Sequence, residues 1–73
     1  MSKLTAQLAS LPDRENVVYE IYSDSDQVAE VSNEPDNGIR IEIFPCPHTG
    51  KIWNFDFNEF YTLIEQAKQN IDD

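Results

Sequence analysis

The chain is short of cysteine, glycine and histidine, and above all of positive charge. A single cysteine, Cys46, in 73 residues excludes an intrachain disulfide and with it the usual staple of a small secreted domain. Only two glycines are present and no tract repeats, which sets aside low-complexity classes. Five basic residues against fourteen acidic ones leave a formal net charge of -9. Repulsion then argues against nucleic acid and against a membrane surface as direct ligands. No apolar run approaches a membrane span. Met1 to Ala6 lack the apolar stretch and cleavage site of a signal peptide, so a cytoplasmic location is expected.

What is present is the composition of a folded domain. Hydrophobic residues make up 40%, with one tryptophan, three tyrosines and four phenylalanines, more than a disordered acidic segment carries. One domain spanning 1–73 is expected. Its core must be small, and a net stability of only a few kcal/mol follows once chain entropy is set against burial. Self-association or a tight partner would add to it.

Ser2 as a cap, Leu4, Leu8 and Leu11 on one stripe and Pro12 as a stop predict a short N-terminal helix over 2–11, joined to the sheet by a polar connector through 16. Residues 17–22, 27–32 and 39–44 read as strands, rich in β-branched and aromatic side chains. Ser23-Asp24-Ser25-Asp26 and Asn33-Glu34-Pro35-Asp36-Asn37-Gly38 supply the reversals. Ile52-Trp53-Asn54-Phe55 reads as a short fourth strand, closing a sheet over 17–55. Asp56, with Glu59 three residues on, opens a helix through 71 whose apolar face carries Phe57, Phe60, Tyr61, Ile64, Ala67 and Ile71. The fold class is α+β: a four-stranded antiparallel meander with a C-terminal amphipathic helix packed on one face.

Alternation places Val17, Tyr19, Ile21, Ala29, Val31, Ile39, Ile41, Ile43, Trp53 and Phe55 under that helix. The other face would show Val18, Glu20, Tyr22, Val28, Glu30, Arg40, Glu42, Phe44 and Ile52, a mixture of acids and large apolar groups suited to a binding patch. Arg40 is expected to pair with Glu20, Glu30 or Glu42 across the strands.

Chemistry finds little support. Cys46 and His48 share a proline-bounded loop, and a nucleophilic pair would also need an orienting group and an oxyanion hole. Asp24 or Asp26 could join them around a metal, since the first hairpin turn lies at the same end of the sheet, but the spacing is not that of a zinc site. An ordinary loop is the better account. Asp24-Ser25-Asp26 opens like a calcium loop yet lacks the later glycine and glutamate. Glu20 and Glu30 on an open sheet form no glycosidase cleft. The aromatics from Trp53 to Tyr61 have no basic neighbours for base stacking and fit core packing. No catalytic residue, metal or cofactor is expected.

Two functions remain. A compact acidic domain can fill the cationic groove of a toxin or nucleic-acid-processing enzyme, with Glu20, Glu30, Glu42, Asp24 and Asp26 for charge and Tyr22 and Phe44 as anchors. Alternatively, unpaired strand edges suit an accessory subunit or a homodimer. The run Ile52-Trp53-Asn54-Phe55-Asp56-Phe57-Asn58-Glu59-Phe60 with Ile64-Glu65-Gln66-Ala67-Lys68, and the blocks Glu20-Ile21-Tyr22, Val28-Ala29-Glu30-Val31 and Ile41-Glu42-Ile43-Phe44, resemble short bacterial proteins of immunity type. The likeness spans residues 17–71 as a pattern of strands and helix without an invariant motif. It implies neutralisation of a cognate toxin and no catalytic residues. The expectation is therefore an immunity-type inhibitor of a basic protein partner.

Overall fold

The computed structural model describes residues 4–71. The elements run β1 (Leu4–Ala9), β2 (Val18–Ser23), β3 (Asp26–Glu34), β4 (Gly38–Ile43) and α1 (Phe57–Ile71). The strands form one antiparallel sheet in the order β1-β2-β3-β4, and α1 packs across β1, β2 and β3. The expected α+β architecture is present, but two segments exchange roles within it.

The expected N-terminal helix is the first correction. Leu4–Ala9 is an edge strand paired along its whole length with β2, Leu4 opposite Ser23 and Ala9 opposite Val18; Ser2, its proposed cap, lies outside the described residues. Leu4 and Leu8 satisfy a helical repeat, while Leu4, Ala6 and Leu8 satisfy a strand repeat equally well. An isolated helix of that length is marginal in water, whereas the open edge of β2 offers hydrogen-bond partners to alternate residues along the strand.

The second correction is residues 52–55, which are irregular rather than a strand. Trp53 donates its indole N–H to the carbonyl of Phe44 at 2.7 Å. Trp53 stacks on Phe55 and Phe55 on Phe60, with ring centroids 5.6 and 5.8 Å apart. The segment thus contributes side chains to the core margin instead of a ladder, and β1 rather than 52–55 completes the four strands.

The core lies between sheet and helix: Leu4, Tyr19, Ile21, Val28, Ala29, Val31, Ala67 and Ile71, with Ala6, Trp53, Phe55, Phe60, Leu63 and Ile64 packed at its margin. Val28 belongs here and not on the opposite face, because of a bulge. The turn pairs Ser23 with Asp26 and Tyr22 with Gln27, after which Ile21 meets Ala29 and Val28 is left over. The extra residue reconciles a two-residue turn with the apolar alternation. Val17 lies exposed outside β2, and Ile39, Ile41 and Ile43 are on the helix side yet exposed, since α1 packs chiefly on β1, β2 and β3. Phe57 and Tyr61, expected in the helix seam, are also exposed, while Leu63 takes a place in it.

Local signals at the ends of the elements hold. Gly38, at φ 71°, closes the β3–β4 turn, a backbone conformation that suits glycine. Asp24 takes φ 54° in the β2–β3 turn, which a short polar side chain tolerates. Asp56 accepts the Glu59 N–H at 3.0 Å and caps α1. The Asn33 side-chain amide donates to the Ile71 carbonyl at 2.9 Å and ties the helix end to β3.

Candidate functional site

On the face away from α1, the bulge brings three carboxylates into one row. Glu20 stands opposite Glu30, and Glu30 opposite Glu42. Without the extra residue, continuing the turn's register would set Glu20 against Ala29 and send Glu30 into the core. Like charges directly opposed across strands are unfavourable, so the row requires donors. Gln7, the residue of β1 opposite Glu20, donates its side-chain amide to Glu20 Oε1 at 3.0 Å. The Tyr22 hydroxyl donates to the same oxygen at 3.3 Å.

The cation is Arg14, from the β1–β2 connector, and not Arg40. Its Nη2 donates to Glu30 Oε2 and to Glu42 Oε1, both at 2.7 Å. Hydrogen bonding to Glu42 is the largest influence holding the guanidinium above its ordinary pKa; burial opposes it, and the hydrogen bond and charge of Glu30 assist. Arg40 stands opposite Ser32 and makes no ion pair among the described residues. The expected cross-strand pairing therefore fails on register. The Tyr22 phenol is raised above its usual pKa, first by burial and then by the charge and hydrogen bond of Glu20.

The connector is held in place at its far end. Glu34 accepts the backbone N–H of Glu15 at 2.9 Å and of Asn16 at 3.1 Å, and the Asn16 side chain donates to the Asn33 carbonyl at 2.6 Å. Val18 and Ser32 are buried on this face although no helix lies there. Arg14 borders the same depression as Ser32, so the connector is what shields this part of the sheet.

The residues expected to bind a partner are thus divided. Glu20 and Glu30 are 9% and 7% exposed and engaged internally. Tyr22 and Phe44 are half-buried; Glu42 and Asp24 are exposed. Asp26 bonds His48 Nε2 at 2.8 Å, so the first turn and the proline loop do meet at one end of the sheet. Cys46 lines the same shallow pocket with Lys51 and Trp53. Among the described residues no group of three or more His, Cys, Asp and Glu side chains is placed to hold a metal. The opposite end collects a different set, with exposed Asp13 and Glu15 in the connector, half-buried Glu34 and exposed Asp36.

Gln7 and Arg14 were not singled out from sequence. The signal available was indirect: three glutamates on one face of adjacent strands demand a cation, and Arg40 shares a strand with one of them. No helix among the described residues is long and apolar enough to cross a membrane. Comparison with known proteins finds no matching family model, no similar curated protein and no similar solved structure.

Proposed function

We propose that this chain is an acidic protein-binding module of immunity type, acting in the cytoplasm to neutralise a basic toxin or nucleic-acid-processing enzyme. The observation that carries this reading is the disposition of its charge. A net charge of -9 sits on a small frame in which Arg14 is already consumed by Glu30 and Glu42. The remaining surface is left strongly anionic. Such a surface accelerates encounter with a cationic groove and discourages other partners.

The contact falls on the exposed acids of the turns rather than on the buried glutamates. Glu20 and Glu30 would have to surrender internal donors to meet a partner, at a desolvation cost. Asp13, Glu15 and Asp36 at one end, and Asp24 at the other, are exposed without that cost, while Glu42 is exposed but shares Arg14. Tyr22 and Phe44 remain the aromatic anchors nearest Glu42's face.

Affinity capture from the native host tests the reading. It expects a basic protein, held tightly at low salt and released as salt rises. Replacing Asp13, Glu15 and Asp36 together by lysine should slow association without unfolding the chain. Recovery of no basic protein, or capture indifferent to salt and to these reversals, would overturn it.

A further inference from the structure

The helix leaves the apolar face of β4 partly exposed. Ile39, Ile41 and Ile43 lie on the helix side of the sheet at 43%, 44% and 63% exposure, and β4 is the last strand of the sheet. The Phe44 N–H bonds the Val28 carbonyl at 2.9 Å. In an antiparallel ladder the bonding direction alternates along the strand. Glu42 and Arg40 therefore bond inward to β3, and the N–H and C=O groups of Ile39, Ile41 and Ile43 point out of the sheet. An apolar edge without proline is one that proteins ordinarily cover or guard.

We propose that a second copy of this chain covers it, β4 pairing antiparallel with β4 of the partner about a two-fold axis at Ile41. The argument is the charge pattern of Ile39-Arg40-Ile41-Glu42-Ile43. In this register Ile41 meets its own copy and Ile39 meets the partner's Ile43. Arg40 meets the partner's Glu42 on the other face. Shifting the axis to Arg40 or to Glu42 sets like charge against like, which is unfavourable across strands. The outward groups of the three isoleucines then bond across the axis, and the sheet becomes continuous through both copies.

The pairing also accounts for two features of the single chain. Arg40 lacks an ion partner among the described residues, and the other oxygen of Glu42 is not used by Arg14. The opposite edge offers nothing comparable, since Leu4–Ala9 carries no charge. The interface is isologous, so it closes at two copies.

Sedimentation of the full chain over a concentration series tests this. A reversible dimer is expected. Arg40→Glu should weaken it at least tenfold, and Ile41→Pro, which removes an outward N–H and no bond to β3, should abolish it with circular dichroism unchanged. Arg40→Glu and Glu42→Arg chains should each be monomeric alone and pair when mixed. A wild-type chain monomeric up to ~1 mM, the weak end of specific association, would overturn the proposal, as would a dimer indifferent to Arg40→Glu and Ile41→Pro. The measurement involves no other protein, so its failure leaves the proposed inhibitor role standing.

Discussion

Arg14 and Glu30, sixteen positions apart, meet at 2.7 Å on a face of the sheet that no helix covers. The contact locks the β1–β2 connector over β3 and balances a carboxylate that the bulge has brought out of the core. Because the same Nη2 also serves Glu42, the loop is fastened to two strands through one nitrogen.

Arg14→Ala should therefore destabilise the chain more than removal of any other basic residue. It strands Glu30, whose side chain is only 9% exposed, beside Glu20. Urea midpoints measure the loss. The same substitution made in a Glu30→Gln, Glu42→Gln background should cost clearly less, because the repulsion it exposes has been removed. Equal losses in both backgrounds would assign Arg14 a packing role only.

Alkali should weaken the fold through Tyr22. Its phenol is raised above the ordinary value, chiefly by burial and then by Glu20. The folded value lies above the unfolded one, so this contribution is complete below a pH of about 10. It is lost as pH rises through the folded value. Phenolate absorbance should show a late-titrating component, and Tyr22→Phe should remove both that component and part of the alkaline fall in urea midpoint. An identical fall in the variant would refute the assignment.

Removing the cap of α1 has a predictable cost. Asp56→Ala takes away the acceptor of the Glu59 N–H and should lower stability by about 1 kcal/mol. Asp56→Asn keeps an acceptor and should lose only a fraction of that. Thermal melts of the two variants followed by far-ultraviolet circular dichroism compare them directly.

Burial separates two isoleucines. Ile21 is 0% exposed, and Ile21→Ala should cost about 2–5 kcal/mol, enough to unfold most of a domain this small. Ile52 is 83% exposed, and Ile52→Ser should stay within about 0.5 kcal/mol of wild type. Chemical denaturation of both variants should show this contrast. A large effect at Ile52 would mean that it is covered in solution.

The C-terminal helix, the alternating β4 and the reversal at Asn37-Gly38 were legible because each rests on neighbours a few residues apart. The carboxylates of one face were legible for the same reason, since alternation assigns Glu20, Glu30 and Glu42 to a common side. Residues 4–9 were not, because Leu4, Ala6 and Leu8 fit either repeat and the free edge of β2 decides between them. Nor were residues 52–55, whose aromatic alternation suits a strand but whose rings are drawn toward Phe60 and the core margin instead of pairing with the free edge of β4.

Composition and local pattern, on their own, settled the class of the fold and the anionic character of its surface. Both are sums over residues or over short windows. Tertiary structure alone decided that the glutamates form one closed row, that Arg14 rather than Arg40 answers them, and that β4 lies open. Those outcomes depend on strand register and loop path, which bring together residues as far apart in sequence as Arg14 and Glu42. A one-residue bulge at Val28 is enough to change which face a carboxylate occupies.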